Sequence, residues 1–341
     1  MTLDPNPGNP SMFEALRSFD VDGQVTSRLE RLRLDELSPG AVVLRTRHAG
    51  VNYKDCLTIC GQAKIISEFP RIAGIEAVGE VVESSSELFA KGSAALVHGF
   101  QTGIAFDGGF SEYMRIPAEH LQKLPENLSL IEAAVIGVPG FTVAMALEHF
   151  ERQGVNKSDG LVAVTGASGA VGLLAITILS QAGYKVAAIT RRMTQATALR
   201  ELGASEVIDA AVTTQPQRAL EKPRFIAAID NVGGSVLSWL LRSMQDGGIV
   251  ACVGNVGGNN YEGSVLPFIM RRVQLCGIVA NAPWPQRLRL WNRLASEIKP
   301  DFNKLMPHVR HLRLENLMNH AASQLKGTTG GRTLVTFDST S

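Results

Sequence analysis

The sequence predicts an α/β fold: a doubly wound parallel sheet accompanied by a second, β-rich domain. Three observations carry that reading. An apolar β-type run at 161–165 enters the glycine-rich turn Gly166-Ala-Ser-Gly-Ala-Val-Gly172, which opens an apolar helix at 171–179 and leads to a second apolar run at 185–189. Strand, glycine turn, helix and strand make the first unit of a dinucleotide-binding sheet. Two later runs, 225–229 and 248–253, each end in a glycine-rich loop, at Asp230-Asn-Val-Gly-Gly234 and Gly254-Asn-Val-Gly-Gly258. An open parallel sheet places its ligand crevice at such strand ends. Ahead of this region, 41–47, 77–82 and 108–116 carry β-branched and alternating residues instead, the signature of a β-rich domain.

Along the chain, the start Met1-Thr-Leu-Asp-Pro-Asn-Pro-Gly-Asn-Pro10 is polar and proline-rich and predicts a loose tail without a signal peptide. The three β-type segments follow, the last after a glycine turn. From about Ser129 helix and strand alternate. The stretch 131–152 predicts one or two buried helices, 273–279 an apolar strand, 284–299 an amphipathic helix and 331–337 a final strand. That last strand, placed after the helical region, is expected to return to the first domain. The β-rich domain is therefore predicted as discontinuous, 1–131 with 301–341, and the nucleotide-binding domain as the insert 132–300. No internal repeat or low-complexity tract is seen.

A length of 341 residues sets a prior of two domains, and a hydrophobic content of 45% suffices for folded cores. A formal net charge of +1 gives no reason to expect nucleic acid or an acidic membrane as partner. The longest apolar helical run noted, 170–179, is too short to span a bilayer. Four cysteines, Cys56, Cys60, Cys252 and Cys276, form no disulfide framework. These features predict a soluble protein of a reducing, cytoplasmic compartment.

The turn chemistry favours a phosphate ligand. Gly166 permits the sharp turn, Gly169 lets backbone N–H groups approach a pyrophosphate, and Gly172 lets the helix pack on the sheet. Ser168, Gly169, Ala170 and Val171 are thus candidate cofactor contacts, with Asn231 and Val253 at the later strand ends. The spacing is G-x-x-G-x-x-G rather than G-x-G-x-x-G. At the end of the second strand an NAD site normally carries an acid for the ribose hydroxyl. Here the chain reads Ala188-Ile-Thr-Arg-Arg-Met193. Thr190 can hydrogen-bond a phosphate and Arg191 and Arg192 can neutralise it, which predicts NADPH.

Together the motifs resemble the medium-chain dehydrogenase/reductase superfamily over almost the whole chain. The segments are Val51-Asn-Tyr-Lys-Asp55, Phe69-Pro-Arg-Ile-Ala-Gly-Ile-Glu76, Asp107-Gly-Gly-Phe-Ser-Glu-Tyr113, Ile136-Gly-Val-Pro-Gly-Phe-Thr142, the glycine turn and Gly331-Arg-Thr-Leu-Val335. In particular they resemble the acrylyl-CoA reductase branch, whose members also carry quinone oxidoreductase names. The resemblance implies a Rossmann domain plus a GroES-like catalytic domain, a homodimer, and a cofactor site that adds Tyr53, Thr142 and Arg332. The chain departs from that branch at Phe100, at Ala105-Phe106 where an Asn-His pair is usual, and at Val138-Pro139.

Zinc-dependent relatives carry a cysteine where this chain has Asn52 and a histidine where it has Ile75, before Glu76. Neither residue binds zinc, so a metal-free enzyme is expected. Without a Lewis acid, an activated carbon–carbon double bond or a quinone is an easier hydride acceptor than a simple ketone. The resemblance implies hydride transfer to the β-carbon of an enoyl acceptor, charge on its carbonyl oxygen, and a proton for its α-carbon. Asn52, Tyr53 and Asp55 are the candidate catalytic residues: Asn52 as an amide donor, Tyr53 as a stacking, hydrogen-bonding or acid group, and Asp55 as a structural or proton-transfer carboxylate. Lys64 and Arg71 either face an anionic tail or are solvated. Arg332 either pins a domain interface or meets the cofactor phosphate. The acceptor is an enoyl-CoA of acrylyl-CoA type or a quinone; a non-catalytic NADPH-binding or RNA-binding protein of ζ-crystallin type is the reading from another class.

Overall fold

The structure is a computed structural model describing residues 12–214 and 218–337. The proline-rich start lies outside the described residues. The chain divides into two compact units, Met1–Val138 with Val309–Ser341, and Pro139–His308. The breaks expected after 131 and 300 thus fall at 138 and 308. The start of the long helix stays with the first unit because Arg332 donates to the carbonyls of Ala134 and Val135.

The second unit is built on a six-stranded parallel sheet in the order Ala204–Asp209, Lys185–Thr190, Leu161–Thr165, Phe225–Asp230, Met244–Cys252, Gln274–Gly277. Chain order reverses on either side of Leu161–Thr165, which makes its carboxyl end the switch point of the sheet. The neighbouring strands Val186 to Ile189 and Phe225 to Ile229 are buried throughout, as a sheet covered on both faces requires. Helix Ala170–Gln181 follows the glycine turn and buries Leu173, Leu174, Ile176 and Ile178. Gly166 sits at φ 58. A Cβ on Gly172 would meet the Gly166 carbonyl oxygen at 2.5 Å, so only glycine allows this closeness of turn and helix.

In the first unit a seven-stranded sheet runs Val309–Leu312, Arg332–Thr336, Val42–Val51, Glu76–Ser84, Ala94–His98, Gln122–Lys123, with Tyr113–Ile116 also paired to Val42–Val51. The late strand Arg332–Thr336 lies antiparallel to Val42–Val51, with Thr333 opposite Val51. A hairpin, Phe13–Val21 and Gln24–Leu32, was not foreseen; it turns through Asp22 and Gly23, both at positive φ. The core gathers Leu16, Leu44, Val51, Ile72, Phe110 and Val335. Because Val42–Val51 and Ala94–His98 both end beside the start of Glu76–Ser84, the segments after Val51, before Glu76 and after His98 meet at one end of the sheet.

Helix Leu130–Arg152 is interrupted at Gly137, whose φ of 43 and ψ of −152 are not helical, and it carries Pro139. It corrects the bilayer reading above: by length and composition it is long and apolar enough to cross a membrane, with mean hydropathy 1.9. Its apolar window is 72% buried within the fold, which makes it a core helix.

Candidate active site

Helix Tyr53–Ile59 begins where strand Val42–Val51 ends. Asn52 is its N-cap, and Asp55 three residues on accepts the Asn52 backbone N–H at 2.9 Å. The carboxylate therefore satisfies a donor that the helix itself leaves open. The same Asp55 accepts the Ile75 N–H at 3.0 Å, tying the helix start to the segment before Glu76. Asp55 is buried, and that burial raises its pKa to about 7 against the lowering effect of these two hydrogen bonds. Of its two expected roles, structural or proton-transfer, the geometry is that of the structural one: both oxygens accept backbone N–H groups inside the fold. Tyr53 opens the helix, and it is half-buried.

Glu76 is the hub of this edge. It accepts from Asn52 Nδ2 at 2.7 Å, from Arg332 Nη2 at 2.7 Å and from the Val138 N–H at 2.5 Å. Arg332 is buried; it also donates to Ala134 O at 2.7 Å, to Val135 O at 3.2 Å and to Val51 O at 3.4 Å. Its expected contact with a cofactor phosphate is therefore corrected. The guanidinium is held within its own unit by an acid and three carbonyls, and a buried charge so matched is costly to pull away. Asn52 needs a correction too. An ionised carboxylate accepts only, so the amide NH2 faces Glu76, and the amide oxygen is what remains for a ligand.

The loop that departs from the family pattern is organised around His120. Phe100 stacks on its ring at 4.9 Å between centroids and Phe106 meets it edge-on at 5.0 Å. Burial lowers the His120 pKa. The loop is fastened to the Asn52 side of the unit: Ser67 donates to the Ile104 carbonyl, and Asp107 accepts the Ile72 N–H at 3.0 Å. Arg71 is turned inward, donating to Ser38 Oγ at 2.7 Å beside Asp107, so it is not an anion contact at the mouth. Lys54 and Lys64 are exposed.

The second unit supplies the other predicted residues. Ser168 and Thr190 share a hydrogen bond of 2.7 Å, and the Arg192 N–H donates to Thr190 Oγ1 at 3.0 Å. Arg191 is exposed and Arg192 half-buried. Gly169 caps helix Ala170–Gln181, with Ala170 and Val171 half-buried in its first turn. At the switch point Thr165 donates to Asp230 at 2.6 Å, Asn231 Nδ2 donates to Thr165 O at 2.7 Å, and the Val253 N–H donates to Asp230 O at 2.8 Å. Asn231 Oδ1 is buried and has no hydrogen-bond partner. A buried orphan acceptor at a strand end fits a ligand that brings a donor. Thr142 is buried in the long helix. Asp230 and Thr165, missed by sequence reading, brace this corner. A threonine inside an apolar strand was the available signal.

The donor set does not fit zinc. Asn52 and Ile75 supply no ligand, and both Glu76 oxygens are already engaged. Among the described residues no group of three or more His, Cys, Asp or Glu side chains is placed to hold a metal.

Comparison with known proteins agrees with this architecture. A family model described as the alcohol dehydrogenase GroES-like domain matches residues 38–126, and one described as zinc-binding dehydrogenase matches residues 170–296. YhfP of Bacillus subtilis, which carries a provisional quinone oxidoreductase name, is 37% identical over 328 residues, 95% of this chain and 99% of that protein. Acrylyl-CoA reductase AcuI of Ruegeria pomeroyi is 35% identical over 328 residues, again 95% and 99%. The crystal structure of the YhdH oxidoreductase from Salmonella enterica in complex with NADP superimposes with a TM-score of 0.89 at 34% identity, covering 95% of this chain and 100% of that one. The NAD-bound structure of YhfP gives 0.90 at 36%, covering 96% and 100%.

Proposed function

The chain belongs to the medium-chain dehydrogenase/reductase family, and on that premise we propose that it is an NADPH-dependent, zinc-independent reductase of an activated carbon–carbon double bond, most simply an enoyl-CoA of acrylyl-CoA type. The observation that carries the cofactor choice is the Thr190 hydroxyl, held between Ser168 and the Arg192 N–H at a strand end that has two arginines and no acid. NADPH supplies the hydride when bound. The chain's own residues do the rest. The Ser168–Val171 turn and helix N-terminus receive phosphate. Arg191 and Arg192 take the added ribose phosphate. Asn231 Oδ1 and the Val253 strand end fix the far part of the cofactor, and Thr142 belongs to the same site. Asn52 and Tyr53 hold the acceptor, with Tyr53 or water as proton source.

A quinone is the second reading. Phe100 and Phe106 about His120 make the departing loop aromatic and apolar where a CoA ester would favour polar partners. The deciding experiment is a steady-state panel with NADPH against acrylyl-CoA, crotonyl-CoA, simple enones and quinones, run with and without a chelator. Turnover of enoyl-CoA esters, undiminished by chelation, is expected. Turnover confined to quinones favours the second reading. Loss of activity on chelation, with one zinc per chain, overturns the metal-free assignment.

A homodimer accompanies the reading. Among the described residues strand Gln274–Gly277 ends the parallel sheet with one edge unpaired, and Val265, Ile269, Met270 and Val279 around it are 64% or more exposed. An open apolar edge is a liability unless covered, and a second copy covers it by symmetry. The helix Leu130–Arg152 is a core helix rather than a span, so no membrane partner is proposed, and the +1 net charge supports none among nucleic acids. A cytoplasmic location is proposed on the four unpaired cysteines.

A further inference from the structure

We propose that Glu76 is a positioning residue that fixes the polarity of Asn52: its carboxylate captures the amide NH2, so that Asn52 presents its carbonyl oxygen to the ligand as a hydrogen-bond acceptor. The ligand group it takes is a donor, a hydroxyl, amide N–H or water, and not the carbonyl oxygen of an acceptor. This rests on the reading that Asn52 lies at the acceptor site.

The geometry supports the assignment at each step. Asn52 Nδ2 lies 2.7 Å from Glu76 and 3.5 Å from the Gly50 carbonyl, two groups that only accept. A flipped amide would set its oxygen against both. The amide oxygen has two lone pairs, of which the helix cap uses at most one. Glu76 cannot swing to follow a different amide orientation. Arg332 holds one of its oxygens and the Val138 N–H the other. The packing is tight as well: a Cβ at Gly50 would meet Glu76 Oε1 at 2.2 Å, and one at Gly137 would meet Glu76 Oε2 at 2.1 Å. The donor set of Arg332 is in turn fixed by the carbonyls of Val51, Ala134 and Val135. Polarity therefore runs from three backbone carbonyls through Arg332 and Glu76 to Asn52.

The test replaces Asn52 by an isosteric group that can be charged or neutral. In Asn52→Asp, two carboxyl groups face each other, and the one proton they share is held by residue 52, because Arg332 and Val138 already stabilise the Glu76 anion. Like charges sharing a site raise one pKa. The other charged groups about residue 52 are Asp55, which accepts its backbone N–H, exposed Lys54 next along the helix, and Arg332; His98 lies opposite Glu76 across the sheet. The protonated acid reproduces the amide, donating to Glu76 and presenting a carbonyl. The new carboxyl midpoint is read by carbon NMR on the labelled aspartate, and turnover is measured across the same pH range beside the parent enzyme.

The expected result is a midpoint raised well above the ordinary ~4, with turnover recovering as pH falls through it and dropping about ten-fold per unit above it. In the double variant Asn52→Asp with Glu76→Gln the midpoint should return toward the ordinary value, because the facing negative charge is gone. Should that protein not fold, Glu76→Asp withdraws the carboxylate by one methylene and should lower the midpoint in the same direction. Equal midpoints in both backgrounds overturn the proposal. Unchanged turnover in Asn52→Ala instead overturns the placement of Asn52 at the acceptor site, and leaves the NMR coupling standing.

Discussion

The hydroxyls of Ser168 and Thr190 lie 2.7 Å apart, which joins the glycine turn after the first strand of the parallel sheet to the end of the second. The glycine turn and the residues proposed to read the ribose phosphate are therefore one hydrogen-bonded unit, extended by the Arg192 N–H onto Thr190. NADPH should bind more tightly than NADH by about 1–3 kcal/mol, the worth of a charge-assisted hydrogen bond. Arg191→Ala and Arg192→Ala should each weaken NADPH and leave NADH nearly unchanged. Fluorescence titration of both cofactors checks this; equal affinity for the two defeats it.

Asn52→Ala should lower turnover, by less than the ~10²–10³-fold that follows loss of an oxyanion donor, because Asn52 presents an acceptor, with NADPH affinity retained. Tyr53→Phe should cost less than that if water delivers the proton, and as much if the phenol does. Unchanged kcat/KM in both would make the helix start a packing feature and direct attention to the Phe100–Phe106 loop.

Asp55 gives a pH signature. Its pKa is raised by burial to about 7 in the folded protein, against ~3.9 in an unfolded chain. Between these values the folded state holds a proton that the unfolded state has lost, so Asp55 makes stability fall as pH rises from about 4 to about 7, by at most about 1.4 kcal/mol per unit. Above pH 7 both states are ionised and the slope ends. Denaturant melts of the parent and of Asp55→Asn across this window should diverge in slope; parallel curves would show that Asp55 is not the titrating group.

Ile269→Glu or Val279→Glu places a charge on the apolar surface beside the edge strand Gln274–Gly277. Light scattering at micromolar concentration should give a dimer for the parent protein and a lower mass for the variants. A monomeric parent removes the interface.

The nucleotide-binding half was legible because its signal is local. Glycines at fixed offsets and apolar runs bounded by turns identify strand Leu161–Thr165 and helix Ala170–Gln181 without any long-range knowledge. The hairpin Phe13–Leu32 was missed although Asp22-Gly23 is a strong turn signal, because its strands are studded with charge and largely exposed. Helix Tyr53–Ile59 was not foreseen, since seven residues carry little periodicity; the Asn52–Asp55 spacing is the capping pattern that would have revealed it. The fate of Arg332 could not be read at all. Its acid, Glu76, is 256 residues away, and nothing in either neighbourhood marks the other as its partner.

The strand Arg332–Thr336 also sets an order of events during synthesis. It lies against Val42–Val51, and Arg332 bonds Val51 across 281 residues of chain. At ~5–20 residues per second, the ribosome takes on the order of tens of seconds to deliver that strand. Throughout that interval the Val51 end of strand Val42–Val51 is an open edge of the nascent β-rich sheet and Glu76 lacks its counter-ion, while the strands of the nucleotide-binding half emerge complete. The inserted unit can therefore fold first, and the surroundings of Glu76 and Asn52 are assembled last, when the returning strand arrives.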